Sequence, residues 1–164
     1  MTPAKMLIMM GFRPKNELVY NPITWVGWSL GANVVGDSTG LELIAINGSF
    51  VDAIINTTLK SSTKYGLLYK VVSSTLAGNF STNDYHSAFP ASGLSKTVGY
   101  NKSIITTIAN ITYNKLDVYI SSGETTGNKI KITEVRLFEL PTGSQIETDF
   151  TNLTAAQLNG IYPY

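Results

Sequence analysis

The sequence predicts an all-β fold, an antiparallel β-sandwich of jelly-roll type with one short C-terminal helix. From Trp25 onward, short apolar runs alternate with Gly, Asn and Ser, and no helical period persists over several turns. Thr, Val, Ile and Tyr, which favour strands, are abundant, whereas Ala, Glu, Lys and Arg are sparse. A chain of 164 residues suits a single domain that buries its own core.

Composition excludes several classes of function. Charged residues make up 14% of the chain, against about 25% in a typical globular protein, and Ser, Thr and Asn together supply 47 of the 164 residues. A formal net charge of +1 gives no basic field for a nucleic-acid partner. The absence of Cys and the single His exclude thiolate chemistry and Cys/His zinc sites. Surfaces rich in uncharged polar groups suit extracellular or virion proteins.

The N-terminal segment is unusually apolar. Residues 6–12 read Met-Leu-Ile-Met-Met-Gly-Phe, which is too short to span a bilayer and lacks a small-residue cleavage site after it. We therefore expect no membrane insertion and predict a strand or arm that packs on a neighbouring surface. The predicted organisation is an N-terminal arm or assembly strand over residues 1–24, a jelly-roll sandwich over 25–140, and a C-terminal tail with a short helix over 141–164.

Turn signals and apolar runs place the first strands. The polar cluster over residues 36–40 reads as a turn that precedes a strand. Residues 41–46 and 50–55 are apolar and are joined by Asn47-Gly48-Ser49. Because Asn-Gly favours a tight turn between two antiparallel strands, this pair of runs is predicted to be a β-hairpin.

Alternation identifies three longer strands. Tyr65, Leu67, Tyr69 and Val71 share one face of a strand that also carries apolar residues on its other face, which predicts a central position in the sheet. Residues 115–121 alternate cleanly, as in a strand covered on one side. Within 129–140 the apolar phase slips by one residue at Thr133 and Glu134, which indicates a β-bulge.

The remaining segments carry less periodic signal. Residues 76–94 form a Gly/Ser/Asn/Pro-rich excursion, and residues 96–110 are a candidate strand pair. Thr154 is predicted to cap a short helix, with Gln157 at the reciprocal position of a capping box and Gly160 closing the helix.

Residues suited to catalysis do not form a recognisable constellation. The one imidazole, His86, lies between Asp84 and Ser87 in a loop, where neighbours point in alternating directions, and no nucleophile-elbow motif occurs. Carboxylates on or beside strands mostly fall at positions predicted to be solvated: Glu42, Asp52, Asp117, Glu134 and Glu139. We therefore predict no enzymatic activity and no cofactor. A structural calcium held by oxygen ligands stays as an alternative, although no Asp-x-Asp-x-Asp loop is present.

Aromatic residues are better candidates, because the C–H faces of a sugar ring stack on exposed Trp or Tyr. Tyr119 is predicted on the exposed face, opposite the apolar alternation of its strand. The other predicted carbohydrate-binding residues are Trp28, Tyr85 and Tyr100. A core position is the alternative for at least one of Trp25 and Trp28.

Several stretches resemble a known family. Residues 27–32 (Gly-Trp-Ser-Leu-Gly-Ala), 41–45, 63–69 and 130–140 resemble the carbohydrate-binding-module-like, galactose-binding-like jelly rolls. In that family an opening rich in Trp precedes a strand with two Tyr residues and a closing apolar strand. The matching residues here are Tyr65 and Tyr69 in the first strand and Ile130, Ile132, Val135 and Leu137 in the closing strand. The resemblance implies a jelly roll over residues 25–140. The calcium-ligating acidic residues of the family have no match near the N-terminus.

The segments 140–147 and 162–164 resemble structural and tail-fibre proteins of phages that infect Gram-positive bacteria. Together the resemblances imply a phage tail or fibre module located in the virion. The apolar arm and the C-terminal tail predict that it forms a homo-oligomer, with a trimer favoured. Its partners would be other virion proteins and host-surface carbohydrate. Two alternatives remain: a monomeric carbohydrate-binding module accessory to a cell-wall or polysaccharide hydrolase, and a virion brick without a ligand.

Overall fold

Two antiparallel sheets stack face to face in the computed structural model, which describes residues 17–19, 26–27, 34–37, 40–46, 48–82 and 87–163. The first sheet runs β3-β4-β11-β6-β9, with β1 paired to the later half of β11, and the second runs β2-β5-β10-β7-β8. Every strand pairing is antiparallel. This confirms the predicted antiparallel β-sandwich of jelly-roll type.

The described elements follow one another along the chain as eleven strands and then two helices. The strands are β1 Glu17–Val19, β2 Val26–Gly27, β3 Val34–Asp37, β4 Gly40–Ile44, β5 Val51–Asn56, β6 Lys64–Ser74, β7 Phe80–Thr82, β8 Ser92–Gly93, β9 Gly99–Thr106, β10 Lys115–Ile120 and β11 Lys129–Glu139. The helices are α1 Gln145–Asn152 and α2 Ala155–Ile161.

The main core lies between the sheets and follows the predicted alternation. Alternate residues of β6, from Tyr65 to Val71, point into it together with Leu116, Val118 and Ile120 of β10. Both edges of β6 are hydrogen-bonded, to β11 and to β9, so its predicted central position is confirmed.

A second, smaller core lies on the outer face of the first sheet, where α1 and α2 cover it. Phe150 of α1 packs against Phe138 of β11 with ring centroids 5.4 Å apart, and Leu68 of β6 joins the same cluster. The apolar residues on the outer face of β6 therefore pack against helices. The sequence predicted one C-terminal helix, and the structure has two.

The predicted bulge in the last long strand is confirmed. The pairing of β11 with β6 shifts between Thr133 and Arg136, and Glu134 has a φ of +52°. The inserted residue changes the side on which the apolar residues fall. Ile130 and Ile132 face the main core, whereas Phe138 faces the helices.

Two local predictions are wrong. The runs 41–46 and 50–55 form no hairpin, because β4 and β5 belong to different sheets and only an isolated bridge joins Ile46 to Ser49. The apolar faces of these strands pack across the core, so their connection crosses between the layers. The segment 96–110 contributes one strand, β9, which pairs with β6.

Some predicted features lie outside the described residues. These are the apolar arm at 6–12, Trp25 and Trp28, and the loop positions Asp84, Tyr85 and His86. The strand β1 pairs with β11 of the same chain. The division into residues 1–24, 25–140 and 141–164 stays a prediction.

Candidate functional site

The outer face of the second sheet carries the candidate site. In β10 and β5, residues opposite one another pair as Tyr119 with Asp52, Asp117 with Ile54, and Lys115 with Asn56. These six alternate with the core-facing residues of both strands and therefore share the outer face.

An aromatic pair, Phe50 and Tyr119, lies at one end of this face. The ring centroids are 5.6 Å apart with an interplanar angle of 57°, and Phe50 is 58% exposed. Tyr119 is partly exposed and has Asp52 opposite it on one side and Ser81 on the other. The pair thus combines apolar ring surface with neighbouring hydrogen-bonding groups.

A tight turn before β5 positions Phe50. Ser49 donates its backbone N–H to the carbonyl of Ile46 at 3.1 Å, and Gly48 donates to the carbonyl of Ser122 at 3.0 Å. Gly48 has a φ of +74°, which glycine adopts without steric cost. Because Ser122 lies just after β10, this contact holds the turn beside the end of the strand that carries Tyr119.

The middle of the outer face is closed. Ile54 is 3% exposed, Asp117 is fully buried and Asp52 is 7% exposed. The two aspartates face away from the core, as their alternation predicts, but the expectation that they are solvated is wrong. Accessible surface on this face is therefore concentrated at its two ends.

A polar groove occupies the other end, with a volume of about 480 Å³. Two turns form it, one after β5 and one before β10. Its lining residues are Asn56, Thr57, Thr58, Thr112, Tyr113, Asn114 and Lys115. Tyr113 is 38% exposed, and the Lys115 ammonium lies 5.4 Å from the centre of its ring.

Asn114 holds the two turns of the polar groove together. Its carbonyl accepts the N–H of Thr57 at 3.1 Å, and its Oδ1 accepts the N–H of Leu59 at 3.1 Å. Two hydrogen bonds through one residue fix the spacing of the turns, so the groove is a preformed feature of the backbone.

Of the four predicted binding residues, the structure describes Tyr119 and Tyr100 and places them in different sheets. Tyr119 faces outward on β10, whereas Tyr100 lies on β9 in the other sheet. The Tyr100 hydroxyl donates to Glu134 Oε2 at 2.8 Å, and the Lys70 ammonium lies 5.3 Å from its ring centre. Burial and the Glu134 carboxylate raise the pKa of Tyr100. Trp28 and Tyr85 lie outside the described residues.

Sequence reasoning missed Phe50 and Tyr113 as candidate site residues. Phe50 has the outward phase of β5, but the run 50–55 is apolar at nearly every position, so alternation does not reveal which side of the strand Phe50 faces. Tyr113 stands alone among Thr and Asn residues before β10, with no periodic pattern around it.

The part of the chain that the structure describes contains no group of three or more His, Asp or Glu side chains placed to hold a metal ion. Within the same residues, no helix has the length and apolarity needed to cross a membrane.

The fold is similar to solved carbohydrate-binding modules of family 29. A module from Piromyces equi superposes with a TM-score of 0.47 and 9% identity, over 81% of this chain and 93% of that one. A variant module complexed with mannohexaose gives a TM-score of 0.45 and 12% identity over 78% and 93% of the two chains. Another, complexed with cellulohexaose, gives 0.42 and 11% over 75% and 92%. No protein-family model and no curated protein matches the sequence.

Proposed function

We propose that this protein is a non-catalytic, glycan-binding β-sandwich whose binding surface is the aromatic pair Phe50 and Tyr119. The setting we propose is a phage tail or fibre, in which the chain self-assembles and contacts carbohydrate on the host cell surface.

The observation that carries the proposal is the exposed ring surface of the aromatic pair. A large aromatic group left 58% exposed on a sheet face is apolar surface in contact with water. A pyranose covers such a surface with its C–H groups and directs its hydroxyls to the rim. Ser81 and Asp52, which lie opposite Tyr119 on the neighbouring strands, are each 7% exposed, so the two rings supply the accessible surface here.

Charge near the aromatic pair favours a neutral sugar. Asp52 lies directly opposite Tyr119, and Asp117 is two residues away on the same face of β10. Both side chains are buried, so they act on a bound sugar through charge and not as hydrogen-bond acceptors, and a carboxylated sugar placed on the rings would lie close to them. We therefore expect mannans, glucans or galactans to bind in preference to acidic glycans at this end of the face.

The virion setting draws support from the sequence. Segments 140–147 and 162–164 resemble phage structural proteins, and the surface is rich in Ser, Thr and Asn. The alternative is a monomeric binding module that accompanies a cell-wall or polysaccharide hydrolase, which would use the same aromatic pair. A virion brick without a ligand is the remaining alternative and predicts no glycan affinity.

The test is affinity electrophoresis in gels containing mannan, hydroxyethyl cellulose or galactan, and a pull-down on Gram-positive cell walls. Phe50→Ala and Tyr119→Ala should weaken binding at least about fivefold, the loss of roughly 1 kcal/mol that marks an interface anchor. Val98→Ala is the matched control, because Val98 is 66% exposed and lies outside this face.

Urea unfolding of each variant separates binding from packing. Phe50→Ala should unfold with the parent, because its ring is mostly solvated. Binding that survives both substitutions, or no retardation by any of these glycans, would contradict the proposal.

A further inference from the structure

The polar groove is separate from the aromatic pair. Lys115 and Tyr119 are four positions apart on β10, a distance of about 13 Å along a strand. The buried residues Ile54 and Asp117 lie between them on the same face. A small ligand in the groove would therefore not touch Phe50 or Tyr119.

The groove offers unused hydrogen-bonding groups on a fixed frame. Four lining side chains make no hydrogen bond to any residue that the structure describes: Asn56, Thr57, Thr58 and Thr112. The side-chain oxygen of Asn114 is occupied by Leu59, which leaves its amide N–H groups as donors. Amides and hydroxyls converging beside one exposed ring are the groups that recognise a polyhydroxylated ring.

The charged residue that lines the groove is a cation, whereas carboxyl groups lie beside the aromatic pair. Lys115 is the one charged residue among the described residues that line the groove, and no carboxylate is among them. Its ammonium lies against the ring of Tyr113. An anionic group brought next to Tyr113 would therefore meet a cation within the same site.

We propose that the polar groove is a second binding site and that it takes an anionic saccharide, a sugar that carries a carboxylate such as a uronic acid. The sugar ring lies on Tyr113, its hydroxyls bond the amides of Asn56 and Asn114, and its carboxylate faces Lys115. This site is independent of the aromatic pair, so the two ends of one sheet face select glycans of different charge.

The test is isothermal titration of the full chain with α-1,4-linked trigalacturonate and with the neutral galactotriose of the same linkage, at low and at physiological salt. The acidic trisaccharide should bind at least about tenfold more tightly. Lys115→Met should abolish this preference, Lys115→Arg should keep it, and Tyr113→Ala should weaken binding of both sugars. Phe50→Ala should leave trigalacturonate binding unchanged.

Lys131→Met is the matched control, since it removes the same charge from β11 in the other sheet. If Lys131→Met weakens trigalacturonate binding as much as Lys115→Met, the attraction is a general charge effect and the site is wrong. Equal affinity for the two trisaccharides, or no binding of either, also overturns it. Loss of trigalacturonate binding in Phe50→Ala would place the acidic sugar on the aromatic pair, whereas failure of neutral glycans alone would count against the proposed function and leave the groove standing.

Discussion

Glu124 joins two loops at one end of the sandwich through a buried carboxylate. It is 2% exposed, and its Oε2 accepts the N–H of Gly78 at 2.5 Å. Its Oε1 accepts from the amide of Asn128 at 2.7 Å and from the N–H of Thr125 at 3.0 Å. These hydrogen bonds, the one from Asn128 foremost, lower the pKa of Glu124 to about 2.

Glu124→Gln should therefore destabilise the protein at neutral pH. A Gln side chain has one acceptor oxygen, so an N–H of the amide would face a backbone donor in a buried site, at a cost of about 1–3 kcal/mol. Because the folded pKa is depressed, the stabilisation by the carboxylate is fully present above its unfolded pKa of about 4.3 and is lost as the pH falls toward 2. Urea unfolding at pH 7, 5 and 3 should show the difference from the parent shrinking at pH 3.

Glu42→Gln is the control for this measurement. Glu42 pairs with Lys129 at 3.4 Å on the surface, and exposed pairs contribute at most about 1 kcal/mol. A deficit for Glu124→Gln that is the same at pH 7 and pH 3 would contradict the role assigned to its charge.

Arg136 shows how a buried residue can escape prediction. It is 1% exposed and donates to the carbonyl of Tyr162 and, at 2.7 Å, to Oδ1 of Asn159. Its guanidinium also lies 6.0 Å from the ring centre of Phe138. The strand pattern around Arg136 gives no sign of its burial, because its acceptors, Asn159 of α2 and Tyr162 just after that helix, lie more than twenty residues further along the chain.

At the scale of elements, the two helices are joined to the first sheet by packing and by polar contacts. Lys102 of β9 donates to the carbonyls of Phe150 and Leu153, which lie at the C-terminal end of α1. Lys64 of β6 pairs with Glu147 in the first turn of the same helix. Both ends of α1 are thus tied to neighbouring strands.

The contact between β6 and α1 depends on a glycine. A Cβ placed on Gly66 would lie 2.4 to 2.7 Å from three ring atoms of Phe150. Gly66→Ala should therefore displace α1 or the strand and cost about 1–3 kcal/mol, the range for overpacking a filled core.

A double-mutant cycle with Phe150→Leu checks this cause. If the ring is the obstacle, adding Gly66→Ala to Phe150→Leu should cost clearly less than adding it to the parent, in urea unfolding at pH 7. Additive costs would show that the clash is not the reason. Gly93→Ala is the control, because nothing lies within 4 Å of a Cβ at Gly93.

An element can be predicted from the sequence when the contacts that determine it lie close together along the chain. The helix α2 was found because Thr154 and Gln157 form the capping box that the sequence indicates. The helix α1 was missed although Ser144 accepts from the N–H of Glu147 at its start, since only Ile146 and Phe150 are buried along its eight residues. Two apolar residues repeat the helical spacing only once, which is too little for the pattern to be recognised in a polar segment.

The wrong hairpin has a related cause. Asn-Gly indicates that the chain reverses direction there. Which strands pair depends on how the apolar faces of both sheets pack against each other. Leu41 and Leu43 of β4 and Val51 and Ala53 of β5 all reach the same core from opposite layers. Local turn chemistry cannot distinguish that crossing from an edge-to-edge pair. For the same reason Tyr119 was found from alternation alone, whereas its partner Phe50 and the polar groove required the tertiary structure.

At the scale of the molecule, the sandwich leaves different surfaces on its two outer faces. The first sheet is covered by α1 and α2 through a second apolar core. The second sheet carries the aromatic pair and the polar groove on its outer face. A particle that displays several copies with this face outward would bind repeated sugars with an effective concentration that a monomer lacks.

The proposed assembly gives the last prediction, which concerns the mass in solution. Light scattering on a size-exclusion column should give a trimer for the full chain, against 17.8 kDa for one protomer. Removing residues 1–16 should yield a folded monomer with one cooperative thermal transition, because the cut spares β1 and its pairing with β11. A shortened chain that remains trimeric would exclude the N-terminal arm as the assembly element. A full chain of 17.8 kDa would contradict the self-assembling fibre module and favour the monomeric glycan-binding module, for which the aromatic pair and the groove keep their proposed roles.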